Sequence, residues 1–174
     1  MKGGTQKGSS VAEKSNHSKQ GRAVDFMKKI KLFTIGFAKK PAQRFFTMLS
    51  EAGVQRVLDI RLNNVSQLAG FTKRDDLRYF LRALGGMDYL HLPELAPTKE
   101  LLDQYRKNGQ DWSVYERAFL DLMSRRHIEG RVSEDLLDRA CLLCSEETPD
   151  HCHRRLVAEY LLDARRNIEI VHLI

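Results

Sequence analysis

The chain has 174 residues, 42% hydrophobic and 30% charged, with a formal net charge of +6. That length suits one domain with its own core, needing neither disulfides nor a structural metal to hold it. No apolar run approaches the roughly 18 residues that span a bilayer, and the N-terminus lacks the apolar core of a secretory signal, so no membrane association is expected.

Three cysteines, an odd number in a chain of this size, argue against a disulfide framework and for a reducing, cytoplasmic setting. The basic balance is local. Residues 1–29 carry Lys2, Lys7, Lys14, Lys19, Arg22, Lys28 and Lys29 against Glu13 and Asp25, so the rest of the chain is close to neutral. A nucleic-acid-binding domain normally shows a basic face of its own, and the pI therefore says little about the folded part. Residues 1–29 are rich in Lys, Gly, Ser and Gln and poor in large apolar side chains, which predicts a disordered tail with at most a weak hold on a polyanion.

From Ile30 an α/β alternation begins. Ile30–Ile35 reads as a β-branched strand ended by Gly36. Pro41 to Ala52 reads as a helix with Phe45, Phe46, Leu49 and Ala52 on its apolar face and Gly53 as its stop. Val57–Arg61 is a short strand, and Leu62 to Phe71 a polar loop. Thr72 is placed to cap a helix over Lys73 to Leu84, which ends at Gly85-Gly86. Tyr89–Leu92 is a third strand closed by Pro93. Residues 98–139 read as mainly helical. Ala140–Cys144 is apolar throughout, as a strand buried on both faces would be. A helix over Cys152–Ala164 and a strand over Ile168–Leu173 complete the chain. There is no internal repeat.

Strands separated by helices imply right-handed crossovers. The expected fold class is α/β, a mainly parallel sheet of about five strands with helices on both faces, a three-layer sandwich. The expected organisation is a tail over 1–29 and a single domain over 30–174. In such sheets ligands bind beyond the carboxyl ends of the strands. That rule selects the turn after Ile35, the segment from Asp59, the turn from His91 to Glu94, and the loop from Cys144.

Cys141 to Arg155 holds the richest chemistry, Cys-Leu-Leu-Cys-Ser-Glu-Glu-Thr-Pro-Asp-His-Cys-His-Arg-Arg. Cys144 ends a buried strand, and the loop after it enters a helix N-terminus, where N–H groups and the dipole stabilise anions and lower a thiol's pKa. Arg154 and Arg155 lie in the first turn, against the dipole preference, as cations engaged with an anion would. In one reading Cys144 is a nucleophile and Arg154 holds an anionic substrate. Its strand order loosely resembles that of rhodanese-like domains, in topology only. In a second, Cys144 and Cys152 bind zinc with His151 or His153 and, in one version, Glu146. In a third the cysteines are small buried side chains and nothing more. Cys141, three residues before Cys144, faces the other side of the strand and cannot share its ligand.

Asp59 and Arg61 would share one strand face, as a salt bridge or as a base and an anion holder. His91 and Glu94 flank Pro93 at a strand end. The loop from Asn63 to Lys73 is long enough to clamp a substrate. The candidate catalytic groups are Cys144, Asp59, Glu146 and His153. The candidate substrate-binding groups are Arg61, Arg154, His91, Glu94 and Asn63. If zinc were bound, Cys144, Cys152 and His153 would be its ligands. No cofactor is otherwise implied. The expected partner is a small anionic ligand or a nucleic acid, and the alternative to an enzyme is a binding module.

Six motifs occur in the order found in a bacterial and archaeal family: Phe33 to Phe37 (Phe-Thr-Ile-Gly-Phe), Leu58 to Arg61 (Leu-Asp-Ile-Arg), Gly70 to Lys73 (Gly-Phe-Thr-Lys), Tyr89 to Leu95 (Tyr-Leu-His-Leu-Pro-Glu-Leu), Leu142 to Glu146 (Leu-Leu-Cys-Ser-Glu) and Cys152 to Arg155 (Cys-His-Arg-Arg). On these the chain resembles the domain of unknown function 488 family over about residues 30–174. The resemblance implies that Asp59, Arg61, Cys144, Glu146, Cys152, His153 and Arg154 belong to a shared signature. Many members carry His or Tyr where Phe37 stands. The family implies no particular reaction.

Overall fold

The structure, a computed structural model, describes residues 28–107, 109 and 111–174, together with residues 1, 3 and 4. Most of the segment expected to be a disordered tail therefore lies outside the described residues.

The strands are β1 (Ile30–Gly36), β2 (Arg56–Asp59), β3 (Asp88–His91), β4 (Ala140–Cys144) and β5 (Ile168–Leu173). They form one parallel sheet in the order β3-β2-β4-β1-β5. The helices are α1 (Ala42–Glu51), α2 (Arg74–Gly85), α3 (Lys99–Lys107), α4 (Trp112–Arg125), α5 (Ile128–Arg131), α6 (Glu134–Leu137) and α7 (His153–Arg165). The connections after β1 and β2 run across the sheet in one direction, and those after β3 and β4 in the other. Right-handed crossovers then put the two sets of helices on opposite faces.

The core divides accordingly. On one face, Phe45, Phe46 and Leu49 of α1 and Leu77 and Leu81 of α2 pack on Phe33, Ile35, Val57, Cys141 and Leu143. On the other, Tyr115, Phe119 and Met123 of α4 and Leu156, Val157 and Leu161 of α7 pack on Ile30, Leu32, Leu58, Ala140 and Leu142. Alternation along the strands is what sends neighbours to different cores. All of β4 is buried, because it is central and covered on both faces. Among the described residues no helix is long and apolar enough to cross a membrane.

Three local expectations are corrected. The second strand stops at Asp59, not Arg61, because the Arg61 backbone N–H and side chain turn back onto the Asp59 carboxylate instead of extending the ladder. The segment before α2 is not all loop: Gln67–Thr72 forms a 3-10 turn bent at Gly70, whose φ is +54°. Thr72 does not cap α2. Its hydroxyl donates to the Ala69 carbonyl, and Lys73 occupies the cap position with no side-chain bond.

β4 is adjacent to both β1 and β2, whose connections leave toward the opposite face. The carboxyl end of β4 is thus the switch point of the sheet, where chain segments diverge and leave a crevice. The loop after β4 passes directly over the end of β1, with the Phe37 and Ala38 N–H groups donating to the Cys144 and Ser145 carbonyls. Only a residue without Cβ fits beneath it: a Cβ on Gly36 would lie 1.6 Å from the Glu146 carbonyl oxygen and 2.9 Å from Arg154 Nη1. We expect Gly36→Ala to lower unfolding free energy by about 1–3 kcal/mol, as overpacking does, measured by urea denaturation. A wild-type midpoint would contradict this account of the loop.

Candidate active site

Two buried polar networks meet at this edge. The first is centred on Asp59, which is fully buried. Its Oδ1 accepts from Arg61 Nε at 2.7 Å and its Oδ2 from Arg61 Nη2 at 2.6 Å, a bidentate pair. Oδ2 also accepts from the Tyr89 hydroxyl at 2.7 Å and from Asn64 Nδ2 at 3.2 Å. Arg61 donates further to the Thr72 carbonyl and hydroxyl, and its guanidinium lies 5.3 Å from the Phe37 ring centroid. Burial pushes the Asp59 carboxyl up, but the bonds and charge of Arg61 and the Tyr89 hydroxyl outweigh it and hold the group below the usual carboxylate value. Burial and the neighbouring carboxylate push the Tyr89 hydroxyl up. His91 at the end of β3 donates from Nε2 to the Arg61 carbonyl at 2.9 Å. Glu94 contributes its carbonyl to Arg126 Nη1 at 2.7 Å. Asn63 is exposed and accepts the Val65 N–H on its Oδ1.

The second network surrounds Cys144. Cys152 occupies the N-cap position of α7, so His153 and Arg154 open the helix. His153 bridges two strand ends: Nε2 donates to the Ile60 carbonyl at 2.9 Å, and Nδ1 stands 3.5 Å from Cys144 Sγ. With Nε2 carrying the proton, Nδ1 is the basic nitrogen and faces the sulfur. The Phe119 ring, 5.7 Å away, packs the imidazole. Arg154 is wholly buried. It donates from Nη1 to the Glu146 carbonyl at 2.8 Å and to Cys152 Sγ at 3.2 Å, and from Nη2 to the Glu147 carbonyl at 3.2 Å, while its Nε has no hydrogen-bond partner among the described residues. None of these partners is a carboxylate. The Glu147 carboxylate pairs with Lys39 and that of Glu146 with Arg106 at 2.6 Å.

A guanidinium cannot shed its proton, so a buried one needs a negative neighbour. Cys144 is placed to supply it. Burial pushes its thiol up, but hydrogen bonds from the Cys152 thiol and from the Glu146 and Ser145 backbone N–H groups, with the Arg154 charge, hold it below the ordinary thiol value. Cys152 moves the other way: its bond to Cys144, burial and the Cys144 charge raise it, so it remains a thiol donor. Burial lowers His153 and keeps it neutral. Of the two thiols, Cys144 is thus the more acidic, and it sits beside a neutral His153. Cys141 points into the opposite core, where burial raises its thiol.

Cys144 and His153 line a cavity of about 140 Å³ with Ser145, Arg61, Asn63 and Arg106. An adjoining cavity of about 280 Å³ is lined by Cys152, His153, His151, Tyr105, Arg106 and Glu146. Arg106 borders both, and its exposed partner Glu146 lines the larger. A larger groove of about 440 Å³ between α1 and α2, lined by Phe46, Phe71, Phe80 and Leu84, contains no group of this site.

The fold thus brings Cys144, Cys152, His153 and Arg154 together, with Glu146 over them, and places Asp59 and Arg61 in an adjoining network. His91 reaches the Arg61 backbone, and Asn63 the small cavity. The Glu94 carbonyl is tied to α4 through Arg126. Sequence reasoning missed Tyr89, Asn64 and Thr72, which complete the Asp59 shell, and Arg106, which comes from a distant helix. Tyr89 and Thr72 fall within the quoted motifs, a signal that was available; nothing near Arg106 singles it out. The side-chain donor atoms of Cys144, Cys152 and His153 all lie within 4.8 Å of one another, so these three could hold a metal ion.

Fold and site define a three-layer, parallel-sheet α/β protein with a cysteine–histidine pair at the switch point of the sheet. The chain belongs to the family described as Domain of unknown function DUF488, whose model matches residues 41–161. The match spans the Asp59 and Cys144 networks and leaves out β1 and β5. No curated protein and no solved structure matches the chain.

The Asp59 pair has a pH signature. A depressed folded pKa adds stability above the unfolded carboxylate value of about 3.9, and that contribution is lost as pH falls through the folded value. Unfolding free energy should therefore decline on acidification below about pH 4. Asp59→Asn should be destabilised by about 3–5 kcal/mol at neutral pH, because Arg61 is left as a buried unpaired charge, and should lose part of the acid slope. Denaturant titrations across pH check this; an unchanged slope in the variant would count against it.

Proposed function

We propose that this protein is an enzyme in which Cys144 attacks the electrophilic centre of a small anionic substrate. The observation that carries the proposal is the pairing of Cys144 Sγ with His153 Nδ1, the histidine being fixed through its other nitrogen by the Ile60 carbonyl. A nucleophile, a base within reach and a third group that orients the base are the ordinary components of nucleophilic catalysis. The Ser145 and Glu146 N–H groups stand beside the sulfur and can meet charge that develops there.

The substrate's negative group would be met by Arg106. Its exposed pair with Glu146 is worth at most about 1 kcal/mol and is easily exchanged for another anion. Arg61, whose donors are taken by Asp59 and Thr72, forms a fixed wall, and Asn63 offers a polar group at the rim. A cavity of about 140 Å³ admits only the reacting group, so a nucleotide or nucleic acid would present its phosphate end and leave the remainder outside.

A second reading, metal binding by Cys144, Cys152 and His153, is favoured by their clustering. A closed structural zinc site takes four protein ligands, and this cluster offers three. A divalent ion with two thiolates would also leave the Arg154 charge unbalanced. Elemental analysis of purified protein settles the choice, with a stoichiometry near zero expected and one ion per chain contradicting it.

Alkylation tests the main proposal. Iodoacetamide at neutral pH should label Cys144 ahead of Cys141, because the Cys144 thiol is lowered and lines a cavity whereas Cys141 is raised and enclosed in the opposite core. Arg106→Ala should reduce the rate with anionic iodoacetate relative to neutral iodoacetamide by several-fold, as loss of one accessible cation would. Equal labelling of Cys144 and Cys141 would end the nucleophile reading. An unchanged reagent ratio would end the anion reading.

A further inference from the structure

The second thiol of the site has no part in a simple nucleophilic mechanism, yet its placement is specific. The Cys144 and Cys152 sulfurs, with His153 Nδ1 or Nε2 as third donor, lie within 4.8 Å of one another. Both cysteines are almost completely buried. Each lines a different cavity, Cys144 the smaller and Cys152 the larger, and His153 borders both. Cys144 ends a strand and Cys152 precedes the first turn of α7, with an extended backbone at φ −135°. Neither cysteine therefore lies inside a helix that must unwind when its side chain moves. The third cysteine, Cys141, is on the opposite face of β4 and provides an internal control.

We propose that Cys152 is a resolving thiol, and that the Cys144–Cys152 pair reduces a small hydroperoxide and closes to a disulfide. The inference rests on the reading of Cys144 as the reactive thiolate. In the first step the Cys144 sulfur attacks the terminal oxygen of the hydroperoxide. The S–O bond forms, the O–O bond breaks, and the departing oxygen takes a proton from solvent to leave as an alcohol or water. Cys144 is now a sulfenic acid. In the second step the Cys152 sulfur attacks Cys144, the S–S bond forms, and the Cys152 proton, relayed by neutral His153, leaves with the sulfenic hydroxyl as water. The two thiols supply both electrons, and an external thiol is required to restore the reduced pair.

The geometry suits these steps. The smaller cavity, about 140 Å³, admits a compact oxidant. Backbone N–H groups of Ser145 and Glu146 and the Arg154 charge surround the Cys144 sulfur. A disulfide requires the sulfurs to approach to about 2 Å, a side-chain movement that releases the Arg154 Nη1 bond to Cys152 and loosens the contacts of the Cys144 sulfur.

The test uses the full chain, reduced and then given one equivalent of hydrogen peroxide. Alkylation after denaturation, followed by intact mass and peptide mapping, should show two blocked thiols, a Cys144–Cys152 linked peptide and Cys141 still free. Dithiothreitol should reverse the change. Cys141→Ser should form the same linkage. Cys152→Ser should instead carry a Cys144 sulfenic acid that dimedone traps and that further peroxide converts to sulfinic acid. Absence of the linkage in wild type, or over-oxidation of Cys144 alike in wild type and Cys152→Ser, overturns the proposal. If iodoacetamide still labels Cys144 preferentially, only the resolving role falls. If it does not, the nucleophile reading falls with it.

Discussion

The structure at the sheet's carboxyl edge depends on one buried positive charge. Arg154 is wholly enclosed, and among the described residues none of its hydrogen-bond partners is a carboxylate. The Glu146 and Glu147 carbonyls must turn inward to satisfy it, which shapes the loop after β4. That inward turn brings the loop onto β1, where Gly36 leaves the necessary space. The charge itself falls on two thiols. One, Cys152, accepts a guanidinium hydrogen bond and stays protonated. The other, Cys144, is held below the ordinary thiol value, against its burial, by hydrogen bonds from Cys152 and the Glu146 and Ser145 N–H groups and by that charge. The same constraint that organises the loop thus also lowers the pKa of the Cys144 thiol.

The Asp59 network answers a different need. Arg61 is nearly as buried as Arg154, but it carries its own carboxylate in bidentate contact. Tyr89 and Asn64 complete the acceptors of Asp59, so this pair is closed on itself and serves as a rigid wall. It is connected to the Cys144 site through backbone: His91 holds the Arg61 carbonyl and His153 the Ile60 carbonyl, one residue apart. Two strand ends are fixed in this way relative to β4. Where one arginine is neutralised in place and the other is not, reactivity is expected at the second.

The legible part of the sequence was the part written in apolar periodicity. Ala140–Cys144 and Ile168–Leu173 match their strands in full, because continuous apolar or β-branched runs bounded by polar loops have one stable placement in a parallel sheet. The opposite orientations of Cys141 and Cys144 followed from strand alternation alone, and the two side chains do lie on different faces. The ends of β2 and α2 were harder, since side chains decide them: Arg61 folds back onto Asp59, and Thr72 bonds backward to Ala69. The acidic residues of the loop after β4 were puzzling beside a predicted anion site. In the fold the Glu146 and Glu147 carboxylates turn outward to Arg106 and Lys39, and their carbonyls turn inward to Arg154. A sequence does not show which end of a glutamate faces the site. Arg106 could not have been found, because its role depends on how α3 packs rather than on any local motif.

The account stands on Cys144 being the anion that balances Arg154. The direct measurement is the ultraviolet absorbance of thiolate, followed against pH in wild type and in Cys144→Ser. A thiolate signal present at neutral pH, titrating with a midpoint below the ordinary thiol value of about 8.5 and missing from the variant, is the predicted result. A signal that rises only above that value, or that survives in Cys144→Ser, would contradict it.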